Sequence, residues 1–478
     1  MPEMKHFQFR FIFLWVVIFN SLNVIGQDYI HEVQSYTPAP GQMINTTVGR
    51  PEALQSVIGG INGLVTLGAF GGEIVFSFSG PVENHPDNPY GIDFIIFGNP
   101  LPDWSEPGVV WVMKDENNNG LPDDQWYQLA GSDYYFSSTR KNYQVSYSNP
   151  GGQSAEDVPW VDNLGNQGFI NANDFNAQPY YPMVEYFPNI NQQSYTLGGT
   201  FLEHPLDSSQ AYSVKAYERA FGYADNKKRG TPPYHIPDNP YTRIVENGGG
   251  DGFDISWAVD AQGAYVEMDR VHFIKVQSSM LKNAGWLGEI STDIAGAVKV
   301  QPDVSLTGEL EMVVFSELPR ILDICECQLE VFSFNKGIKQ DDRTILWEVD
   351  QDWAGIDNDN RLILEADGQL TIKAYLADKP EVSWSQQITV AGDCQPLNLT
   401  SDYVAVKHIY PNPFNDKIII NTDKDSEINV YGMNGISLYS GFTPAGECQI
   451  DLGFLRPGVY VLFIGGGQQH QGYKIVKQ

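Results

Sequence analysis

The residues best suited to chemistry lie in one short loop. Asp115, Asn117, Asn119 and Asp123 put side-chain oxygens at positions 1, 3, 5 and 9, with Gly120 at position 6 and the Leu121 carbonyl at position 7. A hard cation such as calcium wants several oxygens at about 2.3–2.6 Å, and alternate residues of a tight loop converge to supply them. Two features depart from a helix–loop–helix calcium hand. Position 12 is Trp126 rather than a bidentate Glu, and residues 109–113 before the loop read as a strand. A further carboxylate must come from nearby, and Asp124 and Glu106 are nearest in sequence. The expected ligands are therefore Asp115, Asn117, Asn119, Leu121, Asp123 and Asp124, holding a structural calcium beside Trp104, Trp111 and Trp126. An ordinary Asn/Gly-rich hairpin turn explains the same residues without a metal.

A second acidic stretch runs from Asp251 to Asp260. Read as a strand, it puts Asp254 on a face with Ser256 and Ala258, while Phe253, Ile255, Trp257 and Val259 face the core. Asp254 then lies on an open face, where it could serve a ligand or a second metal; a solvated face is the plainer reading. Residues 231–241 carry Tyr234, His235 and Tyr241 among stiffening prolines. This loop is too polar to bury and is the candidate for partner contact. Its imidazole could ligate a corrinoid cobalt, although a lone loop His is usually only solvated. Trp104 and Trp126 are the aromatic candidates for stacking on a sugar ring or planar cofactor. No Gly-x-Ser-x-Gly elbow, His-Glu-x-x-His helix or phosphate-cradling glycine loop occurs. Glycoside hydrolysis needs only two carboxylates flanking the bond, and 59 acidic residues leave that open.

The elements that must position these residues are strands. Aromatics make up 13% of the 478 residues, and 46 Gly and 29 Pro supply turns. Apolar runs at 64–67, 73–78, 92–97, 109–113, 143–147, 195–197, 212–217 and 271–276 are separated by Gly, Asn, Asp and Pro clusters, with no long amphipathic helix between them. The expected class is all-β: a large jelly-roll-like sandwich over 28–300, a second sandwich over 304–393 and a small one over 406–478. Residues 1–26 read as a secretory signal peptide, because Lys5 and Arg10 lead into an apolar run over 11–24 and small Gly26 precedes polar sequence. That run is shorter than the roughly 20 apolar residues of a membrane span. A net charge of −30 argues against a nucleic-acid partner. Cys325 and Cys327 fall two apart and Cys394 follows the last strand of the same region. One Cys325/Cys327–Cys394 bridge fits an oxidising compartment, and small buried thiols are the alternative.

Three resemblances extend this reading. Over 304–393, a strand bearing Trp347, a turn at 357–360, a strand at 362–364 and a last strand at 385–390 resemble bacterial immunoglobulin-like (Ig-like) domains, which implies a spacer. From residue 406, Tyr410, Pro411, Asn412 and Pro413 are followed by an Asn434–Gly435 hairpin turn, by Leu455, Gly458 and Tyr460, and by a closing strand bearing Lys474. This order resembles the C-terminal sorting domain of the type IX secretion system of Bacteroidota. It implies recognition by the type IX translocon and a secreted, cell-surface location outside the outer membrane. Residues 60–297 are similar to a group of Bacteroidota cell-surface proteins, through segments 67–72, 92–100, 106–112, 117–132, 221–226, 253–260 and 285–294. Some of that group are encoded beside corrinoid-uptake systems, which implies an outer-membrane transporter as partner. The expected function is non-catalytic surface binding of a small molecule or glycan. A polysaccharide hydrolase and an adhesion or matrix protein are the alternatives.

Overall fold

The computed structural model describes residues 28–85, 91–210, 213–226, 250–300, 311–394, 406–432, 436–466 and 469–478. Residues 1–26, expected to be a signal peptide, the residues Tyr234, His235 and Tyr241, and Asn434 and Gly435, expected to form a turn, lie outside the described residues. The architecture is all-β. The helices among the described residues are short 3-10 turns at Pro51–Val57, Ile255–Trp257 and Gly285–Leu287. The chain divides into two compact units, Met1–Pro396 and Leu397–Gln478.

The first unit is built on a six-stranded sheet centred on Arg270–Ser278, which pairs antiparallel with Glu73–Glu83 on one side and Gly108–Met113 on the other. Alternate residues of these strands, Ile74, Phe76, Val110, Val112, Ile274 and Val276, share one core. A three-stranded sheet contributes to the same core, with Phe94–Phe97 between Gly250–Phe253 and Gly296–Lys299. Its central strand is buried at every position, which is why it reads as an unbroken apolar run and not as an alternation. A four-stranded sheet around Arg140–Ser148 packs a separate aromatic core containing Phe70, Tyr143, Tyr147, Tyr180 and Phe201.

The expectation for Asp254 is corrected by this fold. The strand stops at Phe253, and Asp254 N-caps the 3-10 turn Ile255–Trp257, its Oδ1 accepting from Ser256 N at 2.7 Å. It is buried at 3% exposure, so it lies on no open face. A capping carboxylate next to a polar i+2 residue takes the chain out of period-2 alternation.

Residues 311–394 form further sheets around a core of Leu362, Leu370, Ile372, Ala374 and Ile388. Cys325 and Cys394 are disulfide-bonded, with Cα atoms 5.3 Å apart, and Cys327 is a free thiol. This region is fused to the first. Met312, Val314 and Phe334 belong to the first core, Phe334 meets Phe221 edge-on at 5.1 Å, and Trp257 Nε1 donates to Lys336 O at 2.7 Å. At the junction, buried Arg219 is paired with Glu317 at 2.6 Å and Asp133 at 3.0 Å.

The second unit has a three-stranded sheet (Val406–Tyr410, Lys417–Thr422, Gly446–Asp451) and a four-stranded one (Ser437–Thr443, Ser426–Gly432, Gly458–Gly466, Gln469–Lys477). Phe414, Ile418, Ile420, Ile428, Val430, Leu462 and Ile475 lie in their common core.

Candidate functional site

In the first unit a cavity of about 530 Å³ is walled by Gln42, Thr66, Trp104, Glu106, Leu287, Glu289 and Asp293, among others. That volume falls within the range of about 300–1,000 Å³ typical of small-molecule sites. Strand pairing places its acids. The short ladder Val65–Thr66 with Asp293–Ile294 sets Asp293 opposite Thr66. Asp293 N donates to Asp225 Oδ2 at 2.8 Å, and Asn99 N donates to Asp225 Oδ1 at 2.8 Å. Glu106 is tied to the same segment, since Ser291 N donates to its Oε1 at 3.1 Å. Glu289 Oε1 accepts from Gln42 N at 2.7 Å. Two glycines make room for these carboxylates: a Cβ on Gly41 would sit 2.4 Å from Glu289 Oε1, and one on Gly98 2.2 Å from Asp225 Oδ1.

These groups are acidic, and the described residues around them offer little counter-charge. Glu106, Asp225 and Glu289 are at 9%, 0% and 3% exposure. Glu289 Oε2 is buried without a hydrogen-bond partner. Among the described residues the one cation on the wall, Lys215, is already paired with Asp103 at 2.9 Å. Burial, then the charge of Asp293, pushes Glu289 up to about 8. Burial lifts Asp293 to about 7, against hydrogen bonds from Thr66 and Asn99 that pull it down. Glu106 and Asp225 are also pushed well above the carboxylate range, first by burial and then by neighbouring acids. Carboxylates held near neutrality in a cavity are typical of binding and catalytic sites, although buried networks can serve structure alone.

Two exposed aromatics stand near the wall residues Leu287 and Gln42 without lining the cavity. Phe175 and Trp286 are 72% and 51% exposed and meet edge-on at 6.2 Å. Gln42 ties them to the wall: its Nε2 donates to Leu287 O at 2.9 Å and its Oε1 accepts from Asn173 Nδ2 at 2.5 Å. Sequence reasoning named neither ring. Gly285 and Gly288, both at positive φ (65° and 89°), were the available signal of an outward turn at Trp286.

The loop after Met113 has a different character. Asp115 accepts from Asn119 N and Gly120 N at 3.1 and 2.9 Å, and Asn117 and Asn119 accept from the backbone two residues on. The Asn119 amide donates to Asp123 Oδ2 at 3.0 Å, and Glu116 N donates to Asp124 Oδ2 at 2.9 Å. The six candidate ligands thus converge on one exposed turn. Glu106 is not among them, being committed to the cavity. No three His, Cys, Asp or Glu side chains gather as a metal cluster among the described residues. Trp111 and Trp126 stand together, with Lys275 Nζ 5.1 and 4.9 Å from their ring centroids. Trp104 lies apart from them on the cavity wall, so the three tryptophans do not form one platform.

In the second unit Asn412 clamps the last strand. Its Nδ2 donates to Lys474 O at 2.8 Å and its Oδ1 accepts from Val476 N at 2.9 Å. Tyr410–Pro411 and Asn412–Pro413 are both cis. Leu455 is buried, Gly458 opens the strand paired with the last one, and Tyr460 donates its hydroxyl to Arg456 O at 2.7 Å. The buried lysine of the last strand is Lys477, bonded to Asn415 O, and Lys474 is exposed.

Comparison with known proteins fits these two units unequally. Residues 408–478 match the secretion system C-terminal sorting domain. The chain is thus of the class of secreted proteins that carry their address as a folded tail. Its sorting tail, of the type IX kind, marks it as secreted and cell-surface located. No helix among the described residues is long and apolar enough to cross a membrane. No curated protein matches the chain. Solved structures with some likeness include dimeric latent PorU from Porphyromonas gingivalis, at 8% identity over 71% of this chain and 30% of that one, TM-score 0.14. Another is the S-layer protein rSbsC, at 9% identity over 86% of this chain and 53% of that one, TM-score 0.17. The BSP domain of a biofilm-associated protein is 9% identical over 100% of this chain and 99% of that one, TM-score 0.14. TM-scores this low carry no argument about the first unit. The chain spans less than a third of the PorU chain.

Proposed function

We propose that the first unit is a non-catalytic binding module displayed at the cell surface, capturing a small molecule or glycan. The cavity of about 530 Å³ under Trp104, with exposed Phe175 and Trp286 beside its wall, carries this reading. Rigid aromatics flanking a polar cavity suit a sugar or another amphipathic ring. Residues 304–393 then serve as an Ig-like spacer, residues 1–26 as the export signal, and an outer-membrane transporter is a candidate recipient of the ligand. Titration calorimetry of the full chain against glycans and corrinoids tests this. Saturable binding without product release supports it, and turnover transfers the site to the second reading.

That second reading, a polysaccharide hydrolase, draws on one observation. Two carboxylates raised to about 7 and about 8 face one cavity, as a general acid must be near neutral pH. Calcium belongs to the 115–124 loop in this proposal. Its donors are all oxygens, and the Asn117 and Asn119 amide contacts to Asp123 and Asp124 are ones that a bridging cation would replace. The role is structural, so calcium should raise the melting temperature and a chelator should reverse the rise.

A further inference from the structure

The acids of the cavity are more than its fold requires, and that excess points to the charge of what it binds. A buried carboxylate normally finds a cation or several N–H donors, because leaving it unpaired costs far more than a hydrogen bond returns. Elsewhere in this unit the rule holds: buried Asp133 and half-buried Glu317 share Arg219. The cavity breaks it. Glu106, Glu289 and Asp293 line one space, Lys215 is taken by Asp103, and Glu289 Oε2 has no partner. We infer that the cavity is the binding site of an organic cation, an amine-bearing sugar or polyamine, whose ammonium group lies between Glu289, Glu106 and Asp293.

Size and lining favour an organic cation over a bare ion. About 530 Å³ exceeds what a single metal needs, and Leu101, Val214 and Leu287 give the wall apolar surface for a carbon skeleton. The inference rests on the binding reading above and deepens it by naming the ligand class.

A matched pair of ligands separates the two. The full chain is titrated with the disaccharide of glucosamine and with its N-acetylated counterpart, which lacks the ammonium charges, and with spermidine as a cation that is not a sugar. The amine disaccharide should bind at least tenfold more tightly than the acetylated one, and spermidine should compete with it. Glu289→Gln keeps the Gln42 contact and removes the charge. It should weaken amine binding about 10- to 100-fold, the scale of one charge-assisted hydrogen bond. The protein should melt no lower, since the amide replaces a carboxyl of the same shape that burial already keeps largely protonated without ligand. Spermidine, whose amines stay protonated over this range, should also bind more tightly as the pH rises from about 6 to about 8 and protons leave the site. Glu106, Asp225 and Asp293, the Asp103–Lys215 pair and Tyr180 are the charged and titratable groups around Glu289.

Equal binding of the acetylated disaccharide would overturn the cation inference while leaving a glycan-binding module standing. Amine binding unchanged in Glu289→Gln would place the amine elsewhere and overturn the inference as well. Calcium that displaces spermidine, undiminished by Asp115→Ala, would give the cavity to a metal. Silence from every ligand would end both readings.

Discussion

The 115–124 loop and the cavity are both acidic, and they are built in opposite ways. In the loop, carboxylates and amides point into one turn, and each meets a backbone or amide N–H from within a few residues. It is exposed, local and self-contained. The cavity draws Glu106, Glu289 and Asp293 from distant parts of the chain, with buried Asp225 bonded behind them, and leaves Glu289 Oε2 unmatched among the described residues. An acid satisfied by its own turn makes no demand on anything outside the fold. An acid kept in the interior without a partner does, and such groups are the ones to follow when looking for a ligand.

The contrast is sharpest when a buried charge with counter-ions is set against one without. Arg219→Ala should lose about 3–5 kcal/mol of stability, because buried Asp133 would lose its cation and half-buried Glu317 would keep only Arg320 at 3.8 Å. Glu289→Gln should lose none, and denaturant unfolding of both variants is the check. A large loss in Glu289→Gln would show the cavity acids to be structural and would break the comparison.

The same contrast has a pH signature. The folded-state pKa of Glu289 is raised, so its contribution to stability is full below the ordinary Glu range near about 4.3 and is lost as the pH climbs through the folded value. With Glu289 at about 8 and Asp293 at about 7, the loss falls between about pH 4 and about pH 8. At about 1.4 kcal/mol per unit it should amount to roughly 4 kcal/mol for each group. Glu289→Gln should flatten part of that fall in a series of melts across this range. A wild-type melting temperature level from pH 5 to 8 would refute the burial account.

Smaller effects refine the loop side. In chelator, Asp115→Ala should cost about 0.5–1.5 kcal/mol for its lost turn hydrogen bonds. In calcium the drop should be larger, by the binding free energy forfeited. An identical drop in both conditions would leave a hairpin turn and no metal. Asn412→Ala should cost about 1–2 kcal/mol locally, read as faster hydrogen exchange in Gln469–Lys477. Export should weaken with it, measured as protein retained in the cell.

Much of the scaffold was legible because its signals are local. The apolar run at Phe94–Phe97, the alternating strands around it and the Tyr410–Pro413 opening of the tail are all read over fewer than a dozen residues. Asp254 was misread because alternation was carried past Phe253, although an Asp two residues before a Ser is also a capping signal. The pairing Cys325–Cys394 resolved a choice that spacing left open. The cavity had no signature at all. Its acids sit at 106, 225, 289 and 293, and only the pairing of Thr66 with Asp293 and the bonds through Asp225 and Ser291 bring them together. The Asp115 turn was visible for the opposite reason, since all its partners are neighbours.

The shared core around Phe334, Phe221 and Trp257 bears on how such chains can be cut and recombined. An excised piece ending near residue 300 would surface Trp257 and Phe221 to water and would invite aggregation. The two regions therefore behave as a single cassette, and gene fusions that keep that shared core whole are the ones expected to stay soluble.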